Sequence, residues 1–295
     1  MLQKIMQYFN SYVKDGICIA YSGGVDSSLL LKAACLAREE RIKELTAAKP
    51  QEKVPGAQKK LTKKHPEKTL PEILAVVAET RLHPHEDTLL AQELARSMGA
   101  ACVILQIDEL EDPRIKNNPV NRCYLCKRLL FSAIQETARS HGCLHVFDGT
   151  NLNDTAEYRP GLAALEELNV HSPLKDLNIT KEQVRSLSRN LGLSTSEKPS
   201  APCLATRLPY GAPLDYELLD RLHSGETFLR KLGFFNVRLR YHAPVLRIEV
   251  DAPSLNQVIF QRERILQRMK SLGFSYITLD LEGFRSGSMD IGLSL

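Results

Sequence analysis

Ser22-Gly23-Gly24-Val25-Asp26-Ser27-Ser28 has the composition of an anion cradle. Paired glycines let a backbone approach a phosphate closely, and three serines add hydroxyl donors. A helix opening behind them would aim its free N–H groups and its dipole at the same point. The order is neither a Walker loop with its lysine nor a GxGxxG dinucleotide loop, so γ-phosphate transfer and dinucleotide binding lose their best support. Asp26 is a poor neighbour for phosphate unless a divalent cation such as Mg2+ stands between them. The plain alternative is a turn in which Asp26 caps a helix.

A second constellation uses sulfur. Arg122-Cys123-Tyr124-Leu125-Cys126-Lys127 puts two thiols one helical turn apart, on one face. Arg122, Lys127, Arg128 and the start of the helix would all favour thiolates. Cys203 lies 77 positions after Cys126, between Pro202 and Arg207. Three readings are open. An iron–sulfur cluster on three cysteines leaves one iron free for another ligand. A structural zinc site wants four ligands, and no partner CxxC or nearby HxxxH supplies them. A redox pair needs only the CxxC itself. Cys18 and Cys102 fall in strand-like runs and Cys35 in a helical one, as small core residues do. Cys143 and the eight histidines form no ligand pattern.

The elements that must carry these residues follow from periodicity. Short apolar runs at residues 17–21, 73–78, 102–107 and 144–147 alternate with helical patterns at 27–38, 85–98 and 124–140. Repeated βα units predict an α/β fold, a doubly wound parallel sheet with ligands at the strand C-termini. Pro160 suits the start of a short helix, and Thr180 opens another. The proline-rich stretch at 198–203 reads as a domain junction, giving a first domain at 1–202 and a smaller C-terminal α+β domain at 203–295. The latter is predicted to hold a helix over 215–232, strands over 236–241 and 245–250, a helix over 254–271 and a strand over 276–281.

Of 295 residues, 43% are apolar and 25% charged, the balance of a globular chain. No run of 18 apolar residues occurs, so no helical membrane span is predicted. Seven cysteines, an odd number without a secretion signal, point to reduced thiols in the cytoplasm. The net charge of +4 is local. Residues 43–68 hold eight lysines and three glutamates, together with Pro50, Pro55 and Pro66. That composition predicts a mobile loop and leaves the rest of the chain slightly acidic, which argues against a nucleic-acid partner.

The SGGxDS order resembles the pyrophosphate loop of the ATP pyrophosphatase (PP-loop) proteins. The wider combination resembles their LarE family, ATP-dependent sulfur transferases of nickel-pincer nucleotide synthesis, which serves lactate racemase maturation. It includes 121–127, Asp148-Gly149-Thr150-Asn151, Asp154, 158–161, Cys203-Leu204-Ala205-Thr206-Arg207 and 280–289. The 43–68 stretch is the departure, since the family connects more briefly there. The resemblance implies adenylation of the carboxylates of pyridinium-3,5-biscarboxylic acid mononucleotide, release of pyrophosphate, and displacement of AMP by sulfur. It assigns Ser22, Gly23, Gly24, Val25, Asp26, Ser27 and Ser28 to ATP and Mg2+, with Gly149 and Asn151 beside them. Ala78 and Thr80, after the second strand, are implied to read the adenine. Cys123, Cys126 and Cys203 match the family branch in which a 4Fe-4S cluster carries an extra sulfide; in the other branch a lone cysteine at the position of Cys203 gives up its own sulfur.

Arg207, Arg238, Arg240 and Arg285 are candidates for the substrate phosphate, and Glu226 matches an acidic position near the family's active site. Arg238 and Arg240 read equally as a solvated strand face, and Glu226 as an exposed helix residue. The resemblance also implies a homo-oligomer and a sulfur donor that the sequence does not name. The rival readings are a PP-loop enzyme that thiolates tRNA, set back by the lack of a basic RNA-binding face, and a non-catalytic ATP-binding iron–sulfur protein.

Overall fold

Along the first strand, Ile17 and Ile19 join one apolar cluster and Cys18 another. The second strand repeats this, with Ile73, Ala75 and Val77 on the first side and Leu74 and Val76 on the second. Such period-two sorting with both faces buried is what a sheet covered by helices on both sides requires. The computed structural model describes residues 1–47, 70–83, 85–155, 160–198, 203–285 and 287–289. The predicted mobile loop therefore lies outside the described residues from 48 onward, as do 158–159 and 199–202 of the motifs above.

In chain order the helices are α1 (Leu2–Asn10), α2 (Val25–Ala47), α3 (His85–Ser97), α4 (Pro113–Lys116), α5 (Arg122–Ser140), α6 (Gly161–Glu167), α7 (Pro173–Asp176), α8 (Lys181–Asn190), α9 (Tyr216–Lys231), α10 (Leu255–Phe260) and α11 (Arg262–Ser271). The strands are β1 (Ile17–Ala20), β2 (Leu74–Thr80), β3 (Ala101–Ile107), β4 (His145–Phe147), β5 (Val237–His242), β6 (Val245–Val250) and β7 (Tyr276–Leu279).

The first sheet has the order β3-β2-β1-β4, with β1 parallel to both neighbours. Buried residues of α1, α2, α3 and α8, among them Phe9, Leu30, Ala91 and Val184, fill one side. Phe131, Ile134 and Ala138 of α5 and Leu165 of α6 fill the other. From β1 the chain steps through β2 to β3 and then returns to pair β4 on the opposite side of β1. The order reverses between β1 and β4, which is where doubly wound sheets open a crevice at their carboxyl ends.

Two expected elements differ. Helix α2 runs on to Ala47, past the expected end at 38, so residues 43–47 of the lysine-rich stretch are helical. Its Ala, Glu, Arg and Lys are strong helix formers, and Arg41 pairs with Glu44 at 2.7 Å. The helix expected over 254–271 breaks at Gln261, whose φ of −98° and ψ of 12° interrupt the turn.

The chain divides into two compact units, 1–79 with 85–107 and 127–200, and 80–84 with 108–126 and 201–295. The CxxC turn at the start of α5 thus groups with the C-terminal residues. In that second unit β5 and β6 are antiparallel and β6 and β7 parallel. Leu222 and Leu229 of α9 and Met269 of α11 are fully buried with Val237 and Leu239 of β5.

Candidate active site

The serine–glycine loop lies at the sheet's switch point. Residues 21–24 link β1 to α2, which begins at Val25. Ser22 Oγ lies 3.1 Å from Ser27 Oγ and accepts the Gly24 amide at 3.3 Å, and Tyr21 Oη meets Ser28 Oγ at 3.1 Å. The loop after β4 closes in from the other side of the reversal. A Cβ on Gly149 would fall 3.1 Å from both Asp26 Cβ and the Ser27 amide nitrogen, so glycine is what lets the two loops touch. Asn151, itself buried, donates from Nδ2 to Asp26 Oδ1 at 3.1 Å.

Two lysines that the motif reading passed over also reach this loop. Lys181 at the start of α8 forms an ion pair with Asp26, and Lys198 Nζ donates to Gly23 O at 3.4 Å. Ala78 and Thr80 stand at the carboxyl end of β2. Thr80 groups with the second unit, where its hydroxyl meets His83 Nδ1 at 2.9 Å.

The thiols form a second centre, within the second unit. Arg122 is buried beside them: it donates to Asn118 Oδ1 and, at 3.8 Å, from Nη2 to Cys123 Sγ. Asn118 is anchored in turn by donation to Pro209 O at 2.8 Å. Burial pushes the Cys203 thiol up, against the pull of the Arg122 charge, with Cys123 and Glu109 adding to the rise. Burial raises Cys126 as well, helped by Cys203, Glu109 and Cys123. The expected bias toward thiolates is therefore outweighed at these two positions by loss of water. Glu109 is fully buried, and burial lifts it to about 7 against the weaker pull of nearby Thr80 and Arg81.

Three soft thiols are the donor set of an iron–sulfur cluster with one open iron, whereas a closed zinc site needs a fourth ligand. Among the described residues no group of three or more His, Cys, Asp and Glu side chains is arranged to hold a single metal ion. A cluster attaches each cysteine to a different iron, so its thiols need not converge on one point.

Next to Cys203 a charged network replaces the solvated strand face. Arg207, four residues on, makes a two-pronged pair with Glu226 of α9, and Glu226 also accepts the Leu239 amide at 3.0 Å and Arg230 at 2.9 Å. Gly225 makes this reach possible, since a Cβ there would come 2.5 Å from Leu239 Cδ1. Arg240 bonds Thr206 O at 2.7 Å and Glu249 at 3.1 Å. Ion pairs then link Glu249 to Arg247 at 2.9 Å, Arg247 to Asp280 at 3.5 Å, and Asp280 to Arg285 at 3.6 Å.

Arg207, Arg238, Arg240, Glu226 and Glu249 are all buried. Burial drives Arg238 down to about 10, with Arg207 adding and Glu226 opposing, and it lowers Arg240 against the pull of Glu249. Burial opposes ionisation of Glu226, but the Arg207 hydrogen bonds and charge outweigh it and hold that carboxyl low. So many guanidinium groups out of water need anionic company.

Over 276 residues the chain is 33% identical to the pyridinium-3,5-bisthiocarboxylic acid mononucleotide synthase of Lactiplantibacillus plantarum, covering 93% of this chain and 88% of that protein. The chain belongs to that family, LarE. It is also 36% identical over 291 residues to an uncharacterized protein of Synechocystis, covering 98% and 96% of the two chains. An uncharacterized protein of Methanocaldococcus jannaschii is 33% identical over 183 residues, 62% of this chain and 69% of its own length. No family model matches the chain, and no helix of the described residues is long and apolar enough to cross a membrane.

Proposed function

We propose that this chain is an ATP-dependent sulfur transferase that adenylates the carboxylates of pyridinium-3,5-biscarboxylic acid mononucleotide and converts them to thiocarboxylates. The relationship to the Lactiplantibacillus synthase carries this reading, and the two centres supply chemistry suited to its two halves. Oxide is a hopeless leaving group from a carboxylate, whereas AMP is a good one. The serine hydroxyls and amides of 22–28 would bind the β- and γ-phosphates and draw charge away as pyrophosphate leaves. Asp26 is the residue that would hold Mg2+ there. Ala78 and Thr80 would contact the adenine, and Gly149 and Asn151 would keep the loop in shape.

In the second half, Arg207, Arg238, Arg240 and Arg285 would receive the substrate phosphate, with Glu226 orienting Arg207, Glu249 orienting Arg240 and Asp280 orienting Arg285. Cys123, Cys126 and Cys203 would hold a 4Fe-4S cluster, which supplies a place to carry sulfide for attack on the acyl-adenylate. Arg122 would offset the negative charge that gathers on the thiols. Seven free cysteines support a reduced, cytoplasmic setting.

The test supplies ATP, sulfide and the dicarboxylated nucleotide to anaerobic protein. The expected products are AMP, pyrophosphate and a nucleotide whose mass shows oxygen replaced by sulfur. ADP as the stoichiometric product, or sulfur appearing instead in added tRNA, would overturn the reading.

A further inference from the structure

Both oxygens of Asp26 are engaged. Oδ1 takes the Asn151 amide at 3.1 Å, and Oδ2 carries the Lys181 ammonium. The lysine backbone is firmly set, because its amide donates to Asn153 Oδ1 at 2.8 Å and Thr180 caps the helix with a full capping box. The side chain is the movable part, four carbons long and 35% exposed.

Its position is costly for a structural lysine. As the first residue of α8 it sets an ammonium against the positive end of that helix dipole, where an acid would be favoured. Nor does Asp26 need it to cap α2, since a carboxylate there is already favoured by the dipole. The pair nevertheless occupies the one carboxylate of the phosphate loop.

We propose that Lys181 is a resident cation of the nucleotide-free site, standing where a divalent cation must bind and passing from Asp26 to the phosphates when the nucleotide arrives. The inference rests on the reading of residues 22–28 as an ATP loop. One carboxylate cannot serve an ammonium and a divalent ion together in the empty site, because the two cations repel. The polyphosphate brings enough negative charge for both, so the ion moves to Asp26 while the ammonium turns to a phosphate oxygen. Cation binding then requires nucleotide.

Mn2+ serves as the probe, with free ion counted by electron paramagnetic resonance, and ATP binding is measured separately by calorimetry. Without nucleotide, Lys181→Gln should bind Mn2+ about tenfold more tightly than wild type, and should bind ATP about tenfold more weakly. Lys181→Arg should stay close to wild type in both. The Mn2+ gain should vanish when Asp26→Asn is added to Lys181→Gln. Mn2+ affinity within twofold of wild type in Lys181→Gln, or a gain that survives loss of Asp26, overturns the proposal. Wild-type protein that fails to bind ATP at all would instead overturn the reading of the loop.

Discussion

Arg207 and Glu226 meet out of water, Nε to Oε1 at 2.8 Å and Nη2 to Oε2 at 2.9 Å, with side chains 3% and 0% exposed. The pair ties the turn after Cys203 to helix α9, and Arg207 Nη1 returns to Cys203 O at 3.3 Å. Removing Glu226 strands the buried Arg207 charge, so Glu226→Ala should lower stability by about 3–5 kcal/mol, and Arg207→Ala by less because Arg230 still pairs with Glu226. Urea unfolding of Glu226→Ala and of Arg207→Ala checks this. The double variant should lose less than the sum of the two, because neither charge is then left unpaired.

Glu109 gives the stability a pH dependence with a definite sign. Its folded value is raised from 4.5 to about 7 by burial. Below the unfolded value the carboxyl is protonated in both states and costs nothing by this route. As pH climbs toward 7 the unfolded chain gives up the proton first, so stability falls, and above the folded value the loss is complete. It is on the order of 3 kcal/mol. Glu109→Gln should therefore unfold at higher urea than wild type at pH 8 and nearly with it at pH 4, in metal-free protein. Equal midpoints at both pH values would show that the carboxyl carries no such cost.

Gly149→Ala places a methyl 3.1 Å from Asp26 Cβ and the Ser27 amide nitrogen. The loop between β1 and α2 must shift by a few tenths of an ångström, an overpacking cost of about 1–3 kcal/mol. ATP affinity, read by calorimetry, should drop accordingly while the circular dichroism of the protein is unchanged.

What was legible in the sequence was local. The apolar runs at 17–21 and 73–78, the glycine pair at 23–24 and the helix starts at Pro160 and Thr180 each depend on neighbours a few residues away. Alternation also placed Arg238 and Arg240 on one strand face, but their burial depends on Glu226 and Glu249, which arrive from a helix and from another strand. Lys181 reaches Asp26 across 155 positions, so its sequence context speaks only of a helix start. Likewise the proline-rich junction near 200 marks one passage between the compact units, whereas those near 79, 107 and 126 carry no glycine or proline cluster. In α2 the composition of 43–68 suggested a loop, yet helix propensity and the Arg41–Glu44 pair carry the helix to Ala47.

The cysteine centre yields the strongest forecast. Cys126 and Cys203 each lie within the electrostatic reach of the other and of Cys123, and all three belong to one compact unit. Burial keeps the thiols of Cys126 and Cys203 protonated near neutrality, so iron must displace those protons, and loading should release acid and weaken as pH falls. Anaerobic reconstitution should give about four irons per chain, with one iron open for sulfide. Cys→Ala at any of the three positions should abolish the cluster and multiple turnover together, because two thiols cannot hold what three do. Cys143→Ala, far from any ligand role, should keep both. A chain that donated its own sulfur would behave otherwise: Cys203 would lose about 34 Da in a single turnover as its thiol becomes dehydroalanine. Such a chain would also tolerate loss of Cys123 and Cys126. Iron content and the mass of the Cys203 peptide, measured on the same samples, separate the two routes.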